Sequence, residues 1–365
     1  LSPPEKHDEE PAPRDPEDEE RPPLSPGKKI AFGLVAAVIF LVFLEGIGRL
    51  GGLPSGKLRT LSKVHVGSPE TFAKTLGMWQ PGFKGRILWP VEVAYDVEIN
   101  KLGFRGPEIS REKPSGTFRV FCLGDSTTFS VYVNEAEAWP RRLEGLMRAD
   151  GKTVEVVNGG HPAWSTSDEL RFFRERIVDK LPMDLVLLMV CVNDIGSIPD
   201  PDGKQGMYQV ALDSIHAGLS LADWMRLNTA LGEFETRIEI AIKRARKRYS
   251  KEPLEQQPLP NMDWSPFEES VRRLKKECDS RKLPLLVVVF PPIDSKVVPL
   301  EPRVGKIAEK LGLPFLLVEE TFAKAPERSK LFNLPFDDHA NPEGNRLIAE
   351  AIHRALRTRS LGPYR

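Results

Sequence analysis

The chain has 365 residues, with 52 basic and 52 acidic side chains and a formal net charge of zero. A nucleic-acid partner calls for a basic excess, and none is present. The apolar content of 40% suits a globular protein with a buried core, and the length fits one large α/β domain with appendages as well as it fits two domains.

Residues 1–28 are rich in Pro, Glu, Asp and Arg and poor in large apolar side chains. They bury too little surface to offset the entropy of ordering and read as a disordered tail. Residues 29–50 read as a transmembrane anchor. Ile30 to Leu44 carries no charge and no proline, and adding Glu45 to Leu50 makes the run long enough for a hydrocarbon core. Glu45 and Arg49 lie four apart and can pair on one helix face. Lys28 and Lys29 favour a cytoplasmic N-terminus with the rest of the chain outside the cytoplasm; Arg49, Lys57 and Arg59 weigh against that orientation. A cleaved signal peptide and a buried soluble helix are the rival readings, but no small-x-small site follows cleanly and a long polar leader precedes the run.

Residues 51–110 read as a linker and small β-rich lead-in. ILWPVEVAYDVEIN has the alternation of exposed strands, and NKLGFRGPE reads as turn and loop. From 111 to 360 strands and helices alternate. The strands are FRVFCLG, TVEVVNGG, DLVLLMVCVND, PLLVVVFPP and LPFLLVEE; the helices include AWPRRLEGLMRA, SDELRFFRERIVD, FEESVRRLKKECDSR and PEGNRLIAEAIHRALR. Near-continuous apolar strands separated by helices imply an α/β fold with a parallel sheet covered on both faces, and active groups at the C-terminal strand ends. The rhythm fails at about 196–262, where one or two amphipathic helices and a Pro-rich connector form an insertion, read either as a lid or as a solvated excursion. Its cationic cluster Lys243, Arg244, Arg246, Lys247 and Arg248 reads first as a solvated face and second as a membrane-surface contact.

Four strand ends carry candidate chemistry. Gly124-Asp125-Ser126 presents a hydroxyl at a strand-to-helix turn, where Ser126 is either a nucleophile or a helix cap. Asn158-Gly159-Gly160 offers backbone N–H groups that a ligand can approach. Val192-Asn193-Asp194 offers a side-chain amide, an oxyanion donor or a turn residue. Asp337-Asp338-His339, just before the last helix, offers a base with a carboxylate to orient it. Cys122 and Cys191 sit in apolar runs; with Cys278 they make an odd number with no metal-ligand spacing, and read as buried structural thiols.

The order Ser126, Gly160, Asn193, His339 resembles the SGNH/GDSL hydrolase family, named for those residue types in that order. GDST matches its first block, NGGHPAWS looks like its glycine block, VCVND its Asn block and DDHANPEGNRLIAEAI its last block. NKLGFRGPE is similar to membrane-anchored or exported bacterial members. The resemblance covers roughly Gly103 to Arg357, with the insertion unmatched. It implies a three-layer α/β/α fold with a central parallel sheet of flavodoxin-like type. It also implies a serine esterase or acylhydrolase acting on an acyl ester of a glycan, lipid or small molecule. Ser126 would be the nucleophile, His339 the base and Asp337 its orienting acid, with Asp338 as fallback. Ser126 N–H, Gly160 N–H and the Asn193 amide would bind the oxyanion, with no metal or organic cofactor.

Two positions depart from the family pattern. Phe336 stands where many members carry the acid, so the spacing is the shorter D-x-H, and Cys191 stands where a glycine is usual. Asp125 reads as structural, bonding turn amides. His161 reads as cleft lining or surface, and Trp164 as a sugar platform or cleft floor. Two alternatives remain beside hydrolysis: an O-acyltransferase acting on a cell-envelope polysaccharide, and a non-catalytic binding domain of the same fold. The partners expected are the acyl-ester substrate and a membrane met through residues 30–50, with no nucleic acid.

Overall fold

The computed structural model describes residues 25–53, 58–59, 69–88, 94–196, 206–217, 221–249, 263–292, 300–334 and 337–364. The proposed tail to residue 24 and the connector 250–262 lie outside the described residues, as do the side chains of the cluster Lys243 to Arg248. The chain forms two compact units, Leu1–Gly52 and Leu53–Arg365.

The first unit holds helix α1, Pro26–Leu50. Pro26 occupies its first turn, where a missing N–H costs nothing, and Gly51 follows its last residue. None of its residues is buried, its most apolar 18-residue stretch has a mean hydropathy of 2.6, and Glu45 accepts from Arg49 at 2.8 Å. Twenty-five helical residues span about 37 Å. The helix is therefore long and apolar enough to be a membrane anchor or a signal sequence.

The second unit begins with β1 (Leu58–Arg59), α2 (Pro69–Lys74), β2 (Lys84–Leu88) and β3 (Ala94–Glu98). These strands form a small sheet in the order β1-β2-β3, with the last pair antiparallel. The alternation in β3 is real, but only one side is exposed: Tyr95, Val97 and Ile99 are buried while Asp96 is exposed.

The main sheet comprises β4 (Phe118–Leu123), β5 (Val154–Asn158), β6 (Leu185–Val190), β7 (Leu285–Val289) and β8 (Phe315–Leu317). It is parallel throughout, in the order β5-β4-β6-β7-β8. Strand periodicity divides its side chains between two cores. Phe121, Leu123, Val186 and Leu188 pack with α5 (Thr166–Phe172), α10 (Ser265–Ser280) and α11 (Leu300–Lys310). Val120, Cys122, Leu187 and Met189 pack on the other face with α4 (Trp139–Ala149) and α13 (Pro342–Thr358). The expected three-layer α/β/α arrangement is thus present, and β4, which leads to Ser126, lies between β5 and β6. Short helices α3 (Ser126–Phe129), α6 (Asn193–Gly196) and α12 (Glu319–Phe322) follow β4, β6 and β8.

Within the insertion, α8 (Leu221–Asn228) and α9 (Ala230–Tyr249) are the expected amphipathic helices, preceded by α7 (Met207–Ala217), which the sequence did not announce. Among the described residues beyond Gly52, eight of the nine exposed large apolar side chains lie on α7–α9, although α7 also sends Tyr208, Ala211 and Leu212 into the core on the α5 side of the sheet.

Candidate active site

Strand β4 ends at Gly124 because the backbone must pass hard against the next turn. A Cβ at Gly124 would stand 2.1 Å from Thr128 Oγ1. Asp125 then caps α3: its Oδ1 accepts from the Thr127 N–H at 2.9 Å and the Thr127 hydroxyl at 2.7 Å. The cap is therefore Asp125, as its structural reading implied, and Ser126 opens the helix instead of capping it. Trp139 Nε1–H donates to Thr127 O at 3.0 Å and the Trp139 N–H to Asn345 Oδ1 at 3.1 Å. Through these two bonds α4 links the Ser126 turn to α13, the helix that follows His339.

His339 arrives from the loop before α13. That loop is fixed by Asn333, whose backbone and side-chain N–H groups both donate to His339 O at 3.0 Å. Asn341 caps α13 by accepting from the N–H groups of Glu343 and Gly344. The result brings together residues 213 apart: His339 Nε2 lies 2.7 Å from Ser126 Oγ. On the other side of the ring, Nδ1 is hydrogen-bonded to Asp337 Oδ1, which also accepts the His339 backbone N–H at 2.9 Å. Asp338 reaches only to 3.7 Å of Nδ1, with its side chain 57% exposed, so the geometry selects Asp337 as the partner. An ionised Asp337 only accepts, so Nδ1 carries the proton and Nε2 is left to accept from Ser126.

Charge and burial act in opposite directions here. Burial pulls the His339 pKa down, but the hydrogen bond and charge of Asp337, with Asp338 and Asp125, outweigh it and set it above the ordinary value. Burial pushes Asp337 up, but His339 and the Tyr132 hydroxyl outweigh it and hold the carboxyl below its usual range. The donor atoms of Asp337, Asp338 and His339 also lie within 4.8 Å of one another, a spacing a metal could use. A metal on Nδ1 would displace the Asp337 hydrogen bond, so the two arrangements exclude each other.

The other expected donors stand at the neighbouring strand ends, Gly160 after β5 and Asn193 at the start of α6. Gly160 packs against α3 so closely that a Cβ would meet Phe129 N at 2.1 Å. Its N–H donates to Asn158 Oδ1 at 3.0 Å, so in this structure it is committed to its own turn rather than offered to a ligand. One Asn193 Nδ2–H donates to Trp164 O at 3.0 Å. Asn193 Oδ1 contacts the Cys191 thiol, which also lies 3.0 Å from Asp125 Oδ2. Burial, with the charges of Asp125 and Asp194, pushes the Cys191 pKa well up, which keeps it a thiol, as expected of a structural cysteine.

His161 and Trp164 are not surface groups. The His161 ring stacks between Trp79, at 4.6 Å, and Trp164, at 4.0 Å, and Trp164 is 1% exposed. A sugar platform is thereby ruled out for Trp164 in this state. Ala163, just before it, has φ 67, a left-handed conformation unusual for alanine.

Three residues of the site region went unread in the sequence. Trp79 donates from Nε1 to Gly160 O at 3.3 Å. Tyr132 donates its hydroxyl to Asp337 Oδ2 at 3.1 Å. Arg105, inside the GFRGPE loop, is wholly buried and donates to Phe129 O, Ser130 O and Val133 O. The loop's own sequence was the only signal for Arg105, and nothing local marked the other two.

No curated protein sequence matches the chain. Among solved structures, it is similar to a putative lipolytic protein of the G-D-S-L family from Desulfitobacterium hafniense DCB-2, at 14% identity and a TM-score of 0.40, covering 65% of this chain and 99% of that one. A lipase/acylhydrolase from Enterococcus faecalis gives 15% identity and 0.39, covering 66% and 96%. A psychrotrophic esterase from Pseudoalteromonas sp. gives 10% and 0.41, covering 66% and 98%. The model of the GDSL-like lipase/acylhydrolase family matches residues 122–347, well over half of the chain and inclusive of Ser126 and His339. On that match the chain belongs to the GDSL-like lipase/acylhydrolase family and is an ester hydrolase.

Proposed function

We propose that the enzyme cleaves acyl esters through an acyl-enzyme on Ser126, with His339 as base and Asp337 as its orienter. The observation that carries this reading is the unbroken line from Ser126 Oγ to His339 Nε2, at 2.7 Å, and from His339 Nδ1 to Asp337 Oδ1. His339 takes the hydroxyl proton as Ser126 Oγ attacks the acyl carbonyl. The same proton passes to the leaving alcohol, and water, activated by His339, then hydrolyses the acyl-enzyme. Asp337 fixes the tautomer and stabilises the imidazolium that forms in each half-reaction. The Ser126 N–H and the Asn193 side-chain amide are the donors assigned to the oxyanion. Gly160 enters as a third donor only by exchanging its bond to Asn158 for one to the oxyanion, so its main contribution here is steric. A non-catalytic domain has no use for this alignment of base, acid and hydroxyl.

The same reading makes α1 an anchor that holds the second unit outside the cytoplasm, supported by its length, its exposed apolar surface and Lys28 and Lys29 ahead of its apolar run. Resistance to alkaline carbonate extraction, with the second unit digested by protease added to spheroplasts, is the expected behaviour; a soluble product with a new N-terminus after residue 44 would assign α1 to a signal sequence.

The test of the chemistry is covalent labelling of the detergent-solubilised full chain with a fluorophosphonate. Labelling of wild type on Ser126, and none in Ser126→Ala or His339→Ala, is expected. A folded wild-type protein that hydrolyses p-nitrophenyl acetate without labelling at Ser126 refutes the assignment.

A further inference from the structure

The Asp337 carboxylate is held from both sides. Oδ1 accepts from the ring Nδ1–H and backbone N–H of His339, and Oδ2 accepts from the Tyr132 hydroxyl at 3.1 Å. The Tyr132 ring also meets the His339 ring edge-on, with centroids 5.8 Å apart, and is 3% exposed. This placement requires an unusual backbone. Ser130 and Tyr132 have φ of 61 and 64, and a bulky side chain in the left-handed region is an outlier unless its surroundings impose it.

Arg105 imposes it. Its guanidinium donates to Phe129 O at 2.6 Å, Ser130 O at 2.8 Å and Val133 O at 2.6 Å, and pairs with Glu135 at 2.8 Å. It lies over the Phe129 ring at 4.9 Å and the Tyr95 ring at 5.7 Å. Four bonds from one rigid fork define the path of residues 129–135, which a lysine ammonium could not do from a single nitrogen.

We propose that Tyr132 is a positioning residue for the Asp337–His339 pair, and that Arg105 keeps it in place. The proposal rests on the mechanism above. The D-x-H spacing puts Asp337 and His339 in one short loop, with the Asp337 side chain partly exposed. The Tyr132 hydroxyl occupies the oxygen that would otherwise let the carboxylate swing away from Nδ1. Without it the carboxylate supports the imidazolium less well, and His339 protonates at lower pH. The charged and titratable groups facing the pair are Asp338, Asp125 beside the nucleophile and Tyr95 beside Tyr132, with Arg105 and Glu135 behind the turn.

The experiment is Tyr132→Phe in the full chain. Thermal stability, kcat and KM for p-nitrophenyl acetate would be measured from pH 5 to 9, beside Ser126→Ala and Asp337→Asn. We expect kcat to fall about tenfold or more with KM unchanged, since the lost bond is to a charged group. The acid limb of kcat should move to lower pH. In the Asp337→Asn background the same change should cost no further activity. Arg105→Lys should shift the limb in the same direction. A folded Tyr132→Phe protein with wild-type kcat and limb overturns the proposal while an inactive Ser126→Ala leaves the mechanism standing. An active Ser126→Ala instead removes the mechanism. A Tyr132→Phe chain that does not fold assigns the hydroxyl to stability and also overturns the proposal.

Discussion

Gly160→Ala separates a steric role for this glycine from an electrostatic one. Alanine keeps the peptide N–H, so any donor function survives the change. The added Cβ does not fit: it would lie 2.1 Å from Phe129 N, 2.6 Å from Thr128 C and 2.7 Å from Phe129 Cα. All three atoms belong to the backbone of α3, which cannot rotate aside as a side chain would. Real Cβ contacts below 3.0 Å are essentially absent, so the end of β5 and α3, the helix carrying Ser126, must part by about 1 Å. That helix is held by the Asp125 cap, by Phe129 N–H on Asp125 O at 2.9 Å and by Arg105 on Phe129 O. Overpacking against such a frame costs about 3 kcal/mol, the upper part of the usual range. For a unit spanning Leu53–Arg365 that is a fall in Tm of roughly 5 °C. A 1 Å displacement of Ser126 from His339 is worth on the order of a hundredfold in rate. Differential scanning fluorimetry and p-nitrophenyl acetate hydrolysis would read both. A variant with wild-type Tm and kcat/KM would refute the steric argument and reopen Gly160 as a donor.

Three further outcomes follow from the charges. Because His339 must be neutral to act as base and its pKa is raised above 6.5, kcat/KM should climb with pH through an apparent pKa higher than 6.5; a limb below that value contradicts the Asp337 pairing. Asp337→Asn should lower kcat by about a thousandfold or more, while Asp338→Asn, with its exposed side chain and 3.7 Å gap, should stay within about threefold, and equal losses would contradict the geometry. Glu169 is buried with neither carboxylate oxygen hydrogen-bonded among the described residues. Burial, then the charges of Asp194, Asp125 and Asp168, pushes its pKa well above 4.5, while burial and the Asp125 charge push Asp194 up to about 8. Both acids bind protons more tightly folded than unfolded, so stability should decline as pH rises from about 4 to 8, and Glu169→Gln should flatten that decline; an unchanged slope of Tm against pH refutes it.

The features legible in the sequence were those fixed by local pattern. Strands buried on both faces are continuous apolar runs, so all five strands of the main sheet and their parallel order of helices and strands could be read directly. Ser126, Gly160 and Asn193 after three strands, and His339 in the loop before α13 rather than directly at a strand end, were legible as residue types suited to one chemistry, and Asp337 was preferred over Asp338 through the family resemblance. What was not legible depends on partners distant in the chain. Gly160 looked like an open donor because nothing local says that the Asn158 side chain turns back onto it. His161 and Trp164 looked accessible because Trp79, which covers His161, arrives from 82 residues upstream. Tyr132 lies 205 residues from Asp337, and no motif links them.

Those long-range partners come largely from the lead-in, which the family match leaves out by starting at residue 122. Trp79, Phe83, Ile87, Tyr95, Val97 and Ile99 share one core with Phe129, Val131 and Tyr132 of the turn that carries Ser126. In that core Phe129 is fully buried, and Val131 and Tyr132 are each 3% exposed. Uncovering the three would forfeit about 1.5–3 kcal/mol for each side chain, a sum comparable with the whole stability of a typical domain. It would also remove Arg105, leaving three carbonyls and Glu135 without their donor. A chain beginning at residue 111 should therefore be insoluble or at least a hundredfold less active than one beginning at residue 53, compared by size-exclusion chromatography and ester hydrolysis. If the shorter chain instead kept full kcat/KM, the turn carrying Ser126 would have to hold its left-handed residues unaided, and the lead-in would be no part of the catalytic unit.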